Sequence, residues 1–365
     1  MTDSSSTVAI LRNQLRSLTA LDGAAGFEQP VVAYLRDAFM PLSDSVEIDR
    51  MGNLYAVRRG RGEGPKLMLM AHSDEIGALV KSVEPEGFLR VDRLGGTMPL
   101  LMVGRQVKVN GKPGVIGVRS GHLQQAGSEA RVPSINELYV DVGARSAEDV
   151  MSLGIRVGDP VTYHSPLLEF ANSDLVSGKA IDNRLGCAVL LELFRELKDV
   201  TPAGDVVVVI AVQEEVGSRG ARVAAHRVCP DYAIVVDTFM AGDTPDVSFY
   251  TQMPAGIGRG PVFLLASGNQ ILGQLIHPSM KRWMIRVAEQ KGIVYQLATM
   301  VEISFTDSSV VHLSREGIPT GGLGLSRRYS HSPVEMADLN DASLALRFLR
   351  AFVEAMPNHT DFNFL

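Results

Sequence analysis

The segment "AHSDEIG", residues 71–77, sets a histidine and two acids, His72, Asp74 and Glu75, directly after the apolar run "KLMLMA". Four further places bring similar chemistry. "VVVVIAVQEE" ends in Glu214 and Glu215, "YAIVVDT" carries Asp237 near its end, "GLGLSRRYSH" leads to His331, and Asp182 stands in the polar stretch "SGKAIDNRLG" ahead of a long helical pattern. Two imidazoles and several carboxylates make a mixed nitrogen and oxygen donor set of the kind that holds zinc, cobalt or manganese. A single divalent ion needs about three protein ligands. Five candidates with a spare carboxylate suit two ions about 3.5–4 Å apart that share a bridging carboxylate and a water. Of the adjacent pair Glu214 and Glu215, one can hold metal while the other faces substrate and moves protons.

Each residue also has an ordinary structural reading. His72 can be a hydrogen-bonded or surface histidine, Asp182 a helix N-cap, the two glutamates a first helical turn stabilised by the helix dipole, and Asp237 a turn residue. What favours convergence is that four of the five groups follow apolar runs. In open α/β sheets the carboxyl edge of the strands is where ligands bind, so segments far apart in sequence meet there.

The elements that must do this positioning are visible as patterns. Apolar residues recur at helical spacing over 8–20 and in "PVVAYLRDAFMPL", "VEIDRMGNLYAVRRG" reads as a hairpin around Gly52 and Asn53, and "PKLMLMA" reads as a central strand covered on both faces. From residue 84 to residue 164 the texture changes to short strand-like pieces broken by Gly and Pro, with one helical pattern at "SAEDVMSLG". Afterwards helices and strands alternate again, over "RLGCAVLLELFREL", "GDVVVVIAVQ", "GSRGARVAAHRV" and "YAIVVDT", and "DASLALRFLRAFVEAM" forms a closing helix. The expected fold is therefore α/β, a mostly parallel central sheet flanked by helices and interrupted by a smaller β-rich, barrel-like domain. On this reading residues 1–83 and 165–365 make one domain and residues 84–164 the insert.

The chain has 365 residues, a formal charge of -6 and 45% hydrophobic content. Such a balance, with no basic stripe, speaks against a nucleic-acid partner. No run of about eighteen apolar residues suggests a membrane span, and with no leader pattern the chain reads as soluble and cytoplasmic. Two cysteines, Cys187 and Cys229, lack metal-type spacing and read as buried thiols. His122, His164, His226, His277, His312 and His359 lack the strand-end setting and receive no ligand role, although His122 lies in an insert loop that could reach a neighbouring subunit or pocket. The glycines of "GIGRGPVFLLASG" do not follow the strand-to-helix phosphate pattern, and no serine or cysteine has the setting of a nucleophile.

Six motifs, "AHSDEIG", "KAIDNRLG", "QEEVGSRGA", "VVDTFMAGDTPD", "TDSSVVHLSREGIPT" and "RRYSHSPVE", resemble in order and approximate spacing the dinuclear metallo-aminopeptidases of the glutamyl and deblocking type, which assemble as tetrahedral dodecamers. The likeness spans nearly the whole chain. It implies that His72, Asp182, Glu215, Asp237 and His331 bind two divalent ions, zinc or cobalt, with Asp182 bridging them. His72 and Asp237 would serve one ion, Glu215 and His331 the other. It also implies that Glu214 is the general base, that Asp74 orients the His72 imidazole, and that Asp307 is an acid near the site. The activity implied is removal of N-terminal residues from short peptides by a homo-oligomer whose insert helps subunits enclose a chamber. The chain departs from the pattern at Phe305, where Gly is common, at Ser326, where Pro is frequent, and in the loop "GHLQQAGSEARVP". Competing readings are another dinuclear amide hydrolase, a carboxypeptidase or an N-acyl amino-acid deacylase, and a non-catalytic metal-binding scaffold.

Overall fold

Four strands with side chains buried on both faces form the middle of the fold: Leu67–His72, Val206–Ala211, Tyr232–Met240 and Thr320–Arg328. Sequences such as "VVVVIA" leave no polar face to turn to water, and a parallel sheet with helices on both sides is where such strands are stable. All four run parallel, in the order Val206–Ala211, Leu67–His72, Tyr232–Met240, Thr320–Arg328. Antiparallel strands extend the sheet on both flanks, including the hairpin Ser45–Ile48 and Leu54–Arg58, so the sheet as a whole is mixed. The chain is seen here in a computed structural model that describes residues 4–62, 64–123, 131–268, 271–301, 304–357 and 362.

Helices Ser4–Ala20, Gln29–Phe39, Ile181–Glu196, Pro278–Gln290 and Leu339–Glu354 cover one face of the sheet and share its main core. The other face is covered by Arg219–Val228 and the short turn Ser308–Val311. The small residues Ala221, Ala224 and Ala225 let the longer helix lie close to Met68, Met70 and Val209. Aromatic rings concentrate under the closing helix. Phe352 lies 4.1 Å from the ring of Trp283 and 5.7 Å from that of Phe348, centroid to centroid.

The insert is a closed six-stranded antiparallel barrel with its own core of Val80, Leu89, Val91, Val107, Val140 and Val161 among others. Its first strand, Gly77–Val83, leaves the central sheet immediately after "HSDEI", and its last, Pro160–Tyr163, returns the chain to it. The two cysteines part company here. Cys187 is buried, whereas Cys229 is exposed, because it ends the helix Arg219–Val228 in a left-handed conformation at the surface. Among the described residues no helix is long and apolar enough to cross a membrane. His359 and residues 124–130 of the insert loop lie outside the described residues.

Replacing Phe352 by Ala empties a fully buried site in this aromatic cluster. The expected cost is about 3–5 kcal/mol of stability. Trp283 is the chain's one tryptophan and touches Phe352, so its fluorescence during denaturant unfolding reads the loss directly.

Candidate metal centre

Each candidate donor is delivered by the carboxyl edge of the parallel strands or by a loop that crosses it. His72 is the last residue of its strand and lies level with Ala211. Asp237 sits inside its strand rather than at its end, because Thr238, Phe239 and Met240 continue to pair with Leu325, Ser326 and Arg327. Glu214 and Glu215 follow Ala211 across a tight turn and precede the helix Arg219–Val228, which has no acidic residue in its first turn. Asp182 has non-helical backbone angles at the start of its helix and does not cap it. His331 lies three residues beyond the strand Thr320–Arg328, in a left-handed conformation.

These groups meet. His72, Asp182 and Asp237 bring one donor atom each within 4.8 Å of one another, and so do Asp182, Glu215 and His331. Asp182 belongs to both sets: its Oδ1 is 3.2 Å from His72 Nε2 and its Oδ2 3.5 Å from His331 Nε2. Asp237 Oδ1 is 3.5 Å from His72 Nε2, and Glu215 Oε2 is 3.5 Å from His331 Nε2. Two nitrogens and three carboxylates, sharing one carboxylate, fit a pair of divalent ions in number and in kind. His122, His164, His226, His277 and His312 join neither set.

Two buried carboxylates outside those sets hold the loops in place. Asp74 accepts the backbone N–H of Glu214 at Oδ1 and that of Glu215 at Oδ2, each at 3.0 Å, while Oδ1 faces His72 Nδ1 at 3.3 Å. One side chain thus fixes both glutamates and a histidine ring. Glu335 does the same on the other side, accepting the N–H of Asp182 at 3.0 Å and of His331 at 2.9 Å. Arg327 pairs with Glu335 at 2.8 Å, donates to Thr238 Oγ1 at 2.6 Å and also bonds Asp182.

Beneath the His72 loop lies a second polar layer. Arg184, fully buried, donates to the carbonyls of Ser73 and Leu18, and Lys179 donates to both oxygens of Glu75 at 2.7 and 2.9 Å. Glu75, one of the two acids after the first strand, is therefore a structural anchor at the back of the site. Gly96, at the edge of the barrel, packs so closely that a Cβ there would lie 2.3 Å from His331 Nδ1. Reading for polar residues at strand ends passes over Glu335, Arg327 and Gly96. The first two do stand inside the motif "RRYSHSPVE".

Burial and charge crowding set the protonation of the site. Burial disfavours the imidazolium of His72, yet the carboxylates of Asp182, Asp237 and Asp74 hold its pKa well above the ordinary value. Burial also works against the charged form of His331, but Glu215 and Asp182 raise it to about 9. Glu215 is pushed up to about 8, chiefly by burial and partly offset by His331. Burial likewise raises Glu214 well above its usual range, with Asp307, Asp237 and Glu215 adding to it against His72. Asp182 is the exception. Burial raises it, but the guanidinium of Arg327 and the two histidines hold it well below the usual carboxylate range. Asp307 lies fully buried nearby and is raised to about 7, mainly by burial. Without cations the site thus retains protons that metal would displace.

A family model described as M42 glutamyl aminopeptidase matches residues 52–348. The glutamyl aminopeptidase of Lactococcus lactis subsp. cremoris is 30% identical over 95% of this chain and 96% of its own length. Among solved structures, the aminopeptidase APDkam598 of the archaeon Desulfurococcus kamchatkensis superposes with a TM-score of 0.91 at 34% identity, covering 96% of each chain. A second, the TET1 peptidase of Pyrococcus horikoshii, gives 0.82 at 28% identity over 95% of this chain and 100% of its own; it is described as assembling into a tetrahedron or a large octahedral shell.

Exchanging Asp74 for Asn puts an amide donor against one of two backbone N–H groups. A loss of about 10–100-fold in metal affinity or turnover is expected, read by metal titration and steady-state kinetics, with Glu335→Gln behaving alike. The raised groups also fix a pH response. The folded metal-free chain binds the protons of Glu215 (4.5 to about 8) and His331 (6.5 to about 9) more tightly than the unfolded chain does. The stability they add is complete below the ordinary values and is lost as pH rises through the folded ones. Thermal melts of chelator-treated protein should therefore fall between pH 4.5 and 9, with Zn²⁺ binding tightening over the same window; a metal-free Tm that climbs across it would contradict this account.

Proposed function

The chain belongs to the M42 glutamyl aminopeptidase family, and from that premise we propose that His72, Asp182, Glu215, Asp237 and His331 hold two divalent cations, zinc or cobalt, beside Glu214 as general base. The protein is a metal-dependent aminopeptidase, and its substrates on this reading are short peptides with a free amino terminus. The observation that carries the two-ion assignment is the position of Asp182, with one carboxylate oxygen toward each of the two histidines.

Ions held there would lower the pKa of a shared water and polarise the scissile carbonyl. Glu214 takes the proton of the attacking water and passes it to the departing amine, a role suited to a carboxyl whose pKa burial raises. Its backbone is pinned by Asp74, so the carboxylate is presented in one place. Arg327 and Glu335 keep the shared aspartate and His331 in register.

The assembly we propose is a homo-oligomer, a dodecamer of the tetrahedral kind, supported by the likeness to the P. horikoshii peptidase. Residues 1–83 and 165–365 would form the catalytic domain, apart from the strand Gly77–Val83, which belongs to the barrel. Residues 84–164, together with the strand Gly77–Val83 that completes their barrel, would serve assembly and substrate access. A cytoplasmic location fits this reading. A carboxypeptidase would need a free cation to receive the substrate's terminal carboxylate. Among the described residues lining the cavity, the one guanidinium, that of Arg327, is already engaged by Asp182, Glu335 and Thr238.

Glu214→Gln should retain both metals, by elemental analysis, and lose about 10²–10⁴-fold in kcat. Free-amine peptides should be cleaved and their N-acetylated forms left intact. Turnover in that variant close to that of the unaltered enzyme would remove the proposed base, and cleavage confined to acetylated substrates would favour the deacylase.

A further inference from the structure

The donor cluster lines part of a cavity of ≈ 280 Å³, and other residues complete its lining. Met240 ends the strand Tyr232–Met240, Met300 lies in the strand Gln296–Val301, and Phe305 follows in the loop before Asp307. Met300 is buried, and Met240 and Phe305 are half-buried. The wall is backed by a separate packed cluster that contains Phe239, Met253, Val262 and Leu264, with Met300 as a member and Met240 packed against it. It is therefore a preformed apolar surface. A cavity of this size lies just below the usual range of ligand sites, about 300 to 1,000 Å³, and suits one residue of a peptide.

Resting on the peptidase reading, we propose that this wall of Met240, Met300 and Phe305 receives the side chain of the substrate's N-terminal residue and selects uncharged apolar residues such as Leu and Met. Charge supplies the negative half of the argument. Among the described residues lining the cavity, the carboxylates are Asp182, Glu214, Glu215 and Asp237, all assigned to cations or to proton transfer. The sole guanidinium, Arg327, is engaged on three sides. Three of the neighbouring hydroxyls have partners too: Thr238 accepts from Arg327, Thr306 bonds Ser308 at 2.6 Å, and Ser304 donates to the Phe305 carbonyl at 3.3 Å. An acidic or basic N-terminal side chain would enter without a counter-charge, and burying an unpaired charge is strongly unfavourable. Methionine is unbranched and polarisable, so two of them adapt to Leu and Met side chains of differing shape.

The test is kcat/KM of the metal-reconstituted full-length protein on aminoacyl reporters. Leu and Met should exceed Glu, Asp, Lys and Arg by at least about 10-fold, and exceed Gly by about 10–100-fold. Free L-leucine should inhibit at lower concentration than L-glutamate or L-lysine, a readout that needs no turnover of the inhibitor. Phe305→Ala and Met240→Ala, both at half-buried positions, should each lower the Leu-to-Gly ratio by about 3–10-fold. Cleavage led by Glu, Asp, Lys or Arg, or rates that follow the second residue of a dipeptide series and ignore the first, would overturn the proposal while leaving the peptidase reading intact. Failure to cleave any reporter removes that reading and the proposal with it.

Discussion

The site depends on carboxylates gripping backbone. Asp74 and Glu335 each accept two N–H groups from segments that carry donors, and neither is itself one of the clustered donors. Bonds of this charge-assisted kind are shorter and stronger than neutral ones. They are needed because the segments they hold are not relaxed. Ala180, Gln213, Tyr329 and His331 all take left-handed backbone angles within two residues of a donor or on one, a conformation that costs non-glycine residues of order 1–3 kcal/mol each and persists only where the surroundings enforce it.

That enforcement is supplied from below by the parallel sheet. Its four central strands all point their carboxyl ends to one edge, which brings residues from His72 to His331 to one place without any long loop having to reach. Between sheet edge and helices lies the layer of Arg184, Lys179 and Glu75, whose charges are satisfied by one another and by the carbonyls of Leu18, Leu21 and Ser73. Removing one partner from so dry a network leaves an unpaired buried charge, the most destabilising kind of single change. The polar base therefore tolerates substitution no better than the apolar core around it.

Much of this is legible in the order of residues. Strands such as "VVVVIA" announce their double burial, and a polar pair placed after one marks the edge where chemistry gathers. The hairpin around Gly52 and Asn53 and the terminal helix are equally plain. What sequence does not carry is distance. Glu335 looks like any acid after a turn until its oxygens are found on two amides, and Arg327 like a solvated arginine until its three partners appear. Pattern alone puts Asp237 too near a strand end, because continued pairing by Thr238 to Met240 leaves no turn signal. It also buries Cys229, because an apolar flank does not reveal that the helix stops there with its last residue facing water.

The contact between Gly96 and the ring of His331 joins two bodies that sequence would treat as separate. Gly95 lies beside Glu215 less tightly, with a Cβ there 3.2 Å from the Glu215 side chain. With no side chain on either glycine to act as a compliant spacer, the barrel and the sheet edge meet backbone against donor. A tilt of the barrel in one direction would press on His331, and in the other it would open a gap that water could fill. The seating of the barrel against the sheet edge therefore bears directly on where the side chains of Glu215 and His331 can lie.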